Sequence, residues 1–151
     1  MKYTSEIIID RSREEVIRKL DNPENMKHWQ RGLISYNLLE GTAGKENAKM
    51  ELSYKMGKRD MVMTETIIKN GFPNEFYANY DARGVHNEQR NYFRELEPNK
   101  TKWVSESEFK FQGFGMKFMA FLMPGLFKKQ SMKYLNDFKN FVENGTSVAQ
   151  E

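Results

Sequence analysis

The chain predicts an α+β fold in which an antiparallel sheet is laid down first and one long helix follows to close over it. From Ala48 to Phe111, apolar and polar residues alternate with a strand's period of two, broken at short turns. The alternation ends at Gly113-Phe114-Gly115, and an unusually apolar stretch then runs from Phe114 to Val142. Turns this short join antiparallel neighbours, because parallel ones need long crossovers. A sheet and one amphipathic helix rich in Phe and Met can enclose a cavity.

The elements follow in order. Lys2 to Ile9 reads as a strand, with Tyr3, Ile7, Ile8 and Ile9 supplying β-branched and aromatic residues. Ser12-Arg13-Glu14-Glu15 fits a capping box, and Val16, Ile17 and Leu20 give the short helix behind it an apolar stripe. That helix stops at Asp21-Asn22, since Pro23 disfavours helical dihedrals in its predecessor. Asn22 and Pro23 can cap a second helix that buries Met26 and Trp29 and leaves at Gly32. The meander strands are Leu33 to Glu40, Ala48 to Met56, Asp60 to Lys69, Glu75 to Ala82, Val85 to Leu96 and Thr101 to Gln112. Phe114 to Val142 would span about 44 Å as one helix, but Pro124-Gly125 predicts a break or kink. Past it, Phe127, Ser131, Tyr134, Leu135, Phe138, Phe141 and Val142 form a helical stripe, while Lys128, Lys129, Lys133 and Lys139 mostly lie elsewhere.

With 151 residues, 24 Lys+Arg against 21 Asp+Glu and no cysteine, the chain reads as one domain that needs no disulfide. The near balance of charge shows no clustered basic face, so nucleic acid is not an expected partner. The N-terminal ten residues lack the apolar core of a secretory signal, and the window Phe114 to Phe127 is too short to span a bilayer. The expectation is a cytoplasmic protein without stable membrane insertion. The sequons at Asn99 and Asn144 then carry no meaning.

Ser12 to Val16 behind the first strand, Asp21-Asn22-Pro23 to Trp29 ahead of the second, Glu97 to Thr101 between the last two strands, and the terminal helix together carry a resemblance. The chain resembles the helix-grip superfamily (SRPBCC), which includes START lipid-transfer domains, birch-pollen-allergen relatives and polyketide cyclase/dehydrase-like proteins. The resemblance covers residues 1–143 as a single domain and leaves 144–151 as a disordered tail. It implies a curved seven-stranded antiparallel sheet in the order β-α-α-β6-α, wrapped around the C-terminal helix with a cavity between. Members bind, transfer, cyclise or merely assemble, so the fold does not settle the work.

Alternation nominates the cavity wall: Tyr54, Met63, Glu65, Tyr80, Trp103, Ser105 and Ser107 from the sheet, and Phe118, Met119, Leu122, Phe127 and Tyr134 from the helical stretch. Ten methionines suit a wall that adapts to an irregular apolar ligand, and equally a solid core. Glu65 is the candidate acid or base, because period two carries it inward with Met63 and Ile67, where burial raises a carboxyl pKa. Pairing with a neighbouring cation is the alternative. The strand from Val85 is polar on both faces, with Asn87, Gln89 and Asn91 on one and His86, Glu88 and Arg90 on the other. Solvent exposure near its start is the expectation, and a polar cavity lining the alternative. The step to Tyr92 and Phe93 suggests a bulge or deeper burial.

His28 and His86 lack metal-ligand spacing, no Gly-x-Ser-x-Gly elbow is present, and Gly41 to Lys45 lacks the spacing of a phosphate loop. No cofactor is expected. The leading reading is a binder or carrier of a small hydrophobic molecule, lipid-like or polyketide-like. A protein- or membrane-interaction module with a filled core comes next, and a cyclase/dehydratase-type enzyme using a pocket Glu or Tyr last.

Overall fold

The computed structural model describes residues 1–122 and 124–149, the side chains of Met119, Ala120, Leu122 and Pro124 excepted. Seven strands make one antiparallel sheet: β1 (Lys2–Ile9), β2 (Leu33–Glu40), β3 (Lys49–Met56), β4 (Arg59–Gly71), β5 (Glu75–Ala82), β6 (Val85–Glu97) and β7 (Lys100–Phe111). Their spatial order is β1-β7-β6-β5-β4-β3-β2. Only the pairing of β1 with β7 is non-sequential; every other neighbour is joined by a hairpin, as the short turns predict.

Between β1 and β2 lie α1 (Arg13–Leu20), a single 3₁₀ turn (Pro23–Asn25) and α2 (Met26–Trp29). The Ser12 hydroxyl accepts the Glu15 amide at 3.2 Å, which is half of the expected capping box. The reciprocal half is absent among the described residues, and Glu15 lies 4.0 Å from Arg11 instead. Asn22 caps the 3₁₀ turn through the Glu24 amide at 3.0 Å. The long apolar stretch forms α3 (Phe114–Leu122) and α4 (Pro124–Asn144) on either side of Met123, so the break or kink expected at Pro124-Gly125 turns on a residue outside the described ones.

Helix α4 docks through an aromatic cluster. Phe138 is fully buried, with its ring centroid 5.3 Å from that of Trp103 on β7 and 5.1 Å from that of Trp29 on α2, both edge-on. Phe93 of β6 lies 5.4 Å from Trp103, and Ile9, Val16, Leu135 and Val142 complete this core. Edge-to-face rings add about 0.5–1.5 kcal/mol per pair beyond their buried area. A second, smaller cluster gathers Met26, Met50, Leu52 and Tyr54 toward the β2 side of the sheet.

The helix also covers one sheet edge. Lys139 Nζ donates to the Ile8 carbonyl at 2.6 Å, the Asp10 amide donates to Glu143 at 2.9 Å, and the Tyr3 hydroxyl meets Ser131 Oγ at 2.7 Å. The opposite edge, β2, is exposed along nearly its whole length. Past α4 the backbone has no regular structure, but the Val148 amide donates to the His28 carbonyl at 3.0 Å and His28 meets Ser147 at 2.8 Å. Among the described residues no helix is long and apolar enough to cross a membrane.

Phe138→Ala should cost about 3–5 kcal/mol of unfolding free energy, read from urea denaturation. Phe121→Ala, on a side chain that is 81 % exposed, should change it by less than about 0.5 kcal/mol.

Candidate functional site

The register of the sheet builds the site row by row, because residues directly opposite one another project to the same face. One row crosses the concave face as Phe109, Asn87, Tyr80, Glu65 and Met50. The next runs through Tyr3, Ser107, Gln89, Ala78 and Ile67, and a third through Ser5, Ser105, Asn91 and Phe76. A band of hydroxyl, amide and carboxyl groups therefore lies between the two apolar clusters.

This overturns the expectation that β6 is solvent-exposed near its start. Asn87 is 4 % exposed and Asn91 5 %, and both share the face of Tyr80, Phe109 and Ser105 rather than facing water. They persist inside because they are paired. Asn87 donates to Ser107 Oγ at 2.8 Å and to the Glu108 carbonyl at 3.1 Å, and accepts from Gln89 at 2.8 Å. Asn91 accepts the Trp103 indole N–H at 3.0 Å and donates to the Phe76 carbonyl at 3.3 Å. No bulge accompanies the step to Phe93; the register shift falls between Glu95 and Glu97.

Glu65 projects inward, as the alternation predicts, and accepts the Tyr80 hydroxyl at 2.8 Å on Oε2. Removal from water pushes its carboxyl above the usual range, and the Tyr80 hydrogen bond offsets part of that rise. Burial likewise raises the phenols of Tyr54, Tyr80 and Tyr134, with the Glu65 charge adding to the first two. Tyr54 donates to Gln30 Oε1. The lysine or arginine partner weighed for Glu65 is absent among the described residues. Glu65, Met63, Tyr80, Gln89, Ser105 and Tyr134 are all half-buried although their register or helix face directs them inward. Each therefore keeps some surface that no described part of the chain covers.

Of the nominated wall, the structure brings Tyr54, Met63, Glu65, Tyr80, Ser105, Ser107 and Tyr134 to this face, with Trp103 at its boundary with the aromatic core. Phe127 packs on Phe109, the β7 end of the first row, and on Phe111 beside it, at centroid distances of 5.0 and 5.5 Å. Phe118 does not join the wall. It is 53 % exposed and stacks on the exposed Phe114, because α3 leaves the sheet after Gly113, whose φ of +89° turns the chain away. The side chains of Met119 and Leu122 lie outside the described residues.

Alternation alone also missed three groups. Asp137 of α4 is buried and bound by both Nε and Nη2 of Arg31, at 2.7 and 3.1 Å. Ser5 Oγ and Trp29 Nε1 are buried without a partner among the described residues, which ordinarily costs about 1–3 kcal/mol each. A carboxylate amid the apolar stripe of α4 was the legible sign for Asp137.

Two open surface clefts lie elsewhere. One, of about 260 Å³, is bordered by Glu24, Lys27 and β2 residues 33–36, and the other, of about 750 Å³, by α1 with Phe72, Pro73, Glu95 and Pro98. Neither gathers buried polar groups around an apolar wall as the concave face does, and that combination marks ligand sites. Among the described residues no three His, Asp or Glu side chains gather to hold a metal ion.

A seven-stranded antiparallel sheet packed against a long C-terminal helix is the helix-grip fold. The chain is similar in structure to the ZhuI aromatase/cyclase from Streptomyces sp. R1128, with TM-score 0.79 and 12 % identity over 95 % of this chain and 93 % of that one. It is also similar to a START superfamily protein from Mycobacterium smegmatis (0.74, 14 %, 96 % and 99 %) and to Ara h 8.0201 (0.74, 10 %, 94 % and 97 %). No protein-family model matches the sequence, and no curated protein matches it significantly.

Glu65→Gln should stabilise the protein increasingly as pH rises. A carboxyl whose folded pKa lies above its unfolded value, about 4, favours the folded state in its neutral form. The wild type therefore loses stability relative to the variant between that unfolded value and the raised folded one. Melting temperatures of the two proteins from pH 4 to 8 should diverge upward. A variant less stable throughout would show that Glu65 is not desolvated.

Proposed function

We propose that the protein binds a small hydrophobic molecule with a few hydrogen-bonding groups, held between the concave face and α4. One observation carries the reading. Inward-directed polar groups on β4 to β7 lie between two separate apolar clusters and keep part of their surface open. A solid core would have merged the clusters and left no such groups half-buried. The likeness to an aromatase/cyclase and to a START superfamily protein supports a guest of lipid or polyketide size. Burying about 200 Å² of apolar guest supplies roughly 5 kcal/mol, and the amides and phenols orient it.

Native mass spectrometry of freshly purified protein tests this. The expected result is a non-covalent small-molecule adduct, extractable into organic solvent and reduced by roughly tenfold in Met63→Trp, which fills the space with an indole. A wild-type protein without adduct, in which Met63→Trp also collapses the fold, overturns the reading.

A second reading has its own observation. Phe114, Phe118, Phe121 and Leu126 are all exposed along α3 and the start of α4. Residues 112–136 contain four lysines and no carboxylate. An apolar face beside lysines suits an anionic lipid surface. Phe121→Asp should then abolish sedimentation with phosphatidylserine vesicles; equal sedimentation of variant and wild type removes this role.

A further inference from the structure

If the concave face holds a guest, its charge inventory states which guests it accepts; this inference rests on that reading. The sheet segregates its ions by face. Lys102 pairs with Glu6 at 3.4 Å and Lys110 with Glu88 at 3.4 Å, all at outward register positions. His86, Arg90 and Arg94 alternate outward on β6. The inward rows carry hydroxyls, amides and two carboxyls: Glu65, and Glu95 at the exposed end of β6. The one cation at an inward register position is Arg59, at the exposed tip of the β3–β4 hairpin.

The Met1 ammonium donates to the Phe109 carbonyl at 3.1 Å, at the far end of the same row and four strands from Glu65, and the other described elements supply no free countercharge. On α4, Lys128, Lys129 and Lys133 are exposed. Arg31, beside the Tyr134 end, is already held by both oxygens of Asp137. The five side chains outside the description between Lys117 and Gly125 are Met119, Ala120, Leu122, Met123 and Pro124, none of which ionises. Tyr80 satisfies Oε2 of Glu65, and no described residue bonds Oε1.

We propose that this site selects molecules that are uncharged or carry one amine, with Glu65 as the amine's partner, and that it rejects carboxylates and phosphates. An anion would enter a poorly solvated space where the nearest formal charge, Glu65, repels it and no described cation lies beside it to compensate. An ammonium group would meet a carboxylate with a free oxygen, oriented by Tyr80, in a charge-assisted hydrogen bond. Rejection of this kind sets specificity as firmly as attraction does.

The pH dependence has a definite sign. The phenols of Tyr54, Tyr80 and Tyr134, all raised, stay neutral near pH 7, and Asp137 is engaged by Arg31. Glu65 is thus the group that titrates toward the guest, and its carboxyl is raised. Amine affinity should climb as pH rises through that titration, while the amine itself stays protonated to about pH 10. Alcohol affinity should stay flat.

The test compares decylamine, decanol and decanoate, identical in chain, by calorimetry and by emission of the chain's two tryptophans, Trp29 and Trp103. Decylamine and decanol should bind, and decanoate should bind at least roughly tenfold more weakly than the amine. In Glu65→Gln, with its fold checked by circular dichroism, the amine-to-acid ratio should fall to within about threefold. In the wild type that ratio should shrink as pH is lowered. Decanoate binding as tightly as decylamine, or a ratio unchanged by Glu65→Gln, overturns the proposal while leaving a binding site in place. Failure of all three compounds to bind sinks the binding reading itself, and this proposal with it.

Discussion

The contact on which everything else rests is that of Phe138 with the two tryptophans. Trp103 comes from the sheet, Trp29 from the short helix between β1 and β2, and Phe138 from α4, so three separate stretches of chain meet at one ring. Because these rings meet edge to face, the helix is fixed in rotation as well as distance. That rotation aims Tyr134, one turn earlier, at the band of amides and hydroxyls, and sends Lys128, Lys129 and Lys133 to water. If the ring were lost, the helix would keep its amphipathic character but not its aim.

Polar groups on a concave face are a cost unless something is gained from them. Here the cost is partly offset within the sheet: Asn87, Ser107, Gln89, Asn91 and Trp103 form chains of hydrogen bonds. These bonds orient the amides across strands, so the face is organised before any guest arrives. Ser5 and Trp29 keep unspent donors nearby. Under the proposed function, a polar band bounded by apolar side chains on either side would give a guest one preferred orientation.

Most of the fold was legible in the amino-acid order because strand period and turn chemistry are local. Met61, Met63, Glu65 and Ile67 share a face whatever lies around them, and Glu65 came inward with its neighbours. The site was legible only in part. For β6, alternation gave the right set of residues but could not say which set was inside, since both were polar. Register decides that, by placing Asn87 opposite Tyr80 and Phe109. Phe118 was misplaced for another reason. Apolar character implies burial, yet the turn at Gly113 sends α3 away from the sheet, and nothing near Phe118 records that direction. The Arg31–Asp137 pair joins residues 106 positions apart, a distance no local pattern spans.

The two borders of the sheet are held unequally. Along β1 the chain is stapled to α4 by Lys139, Glu143 and Ser131, so that rim moves only with the helix. Along β2 the backbone is held by β3 and, at Leu33, by the Gln30 carbonyl, and irregular pairing after Leu33 and Leu38 weakens the hold of β3. Thermal breathing must therefore begin at the β2 rim, on the side of the smaller Met-rich cluster, while the aromatic anchor stays shut. A molecule slipping under the helix there would displace methionines, which repack readily, and leave the rigid half of the domain undisturbed.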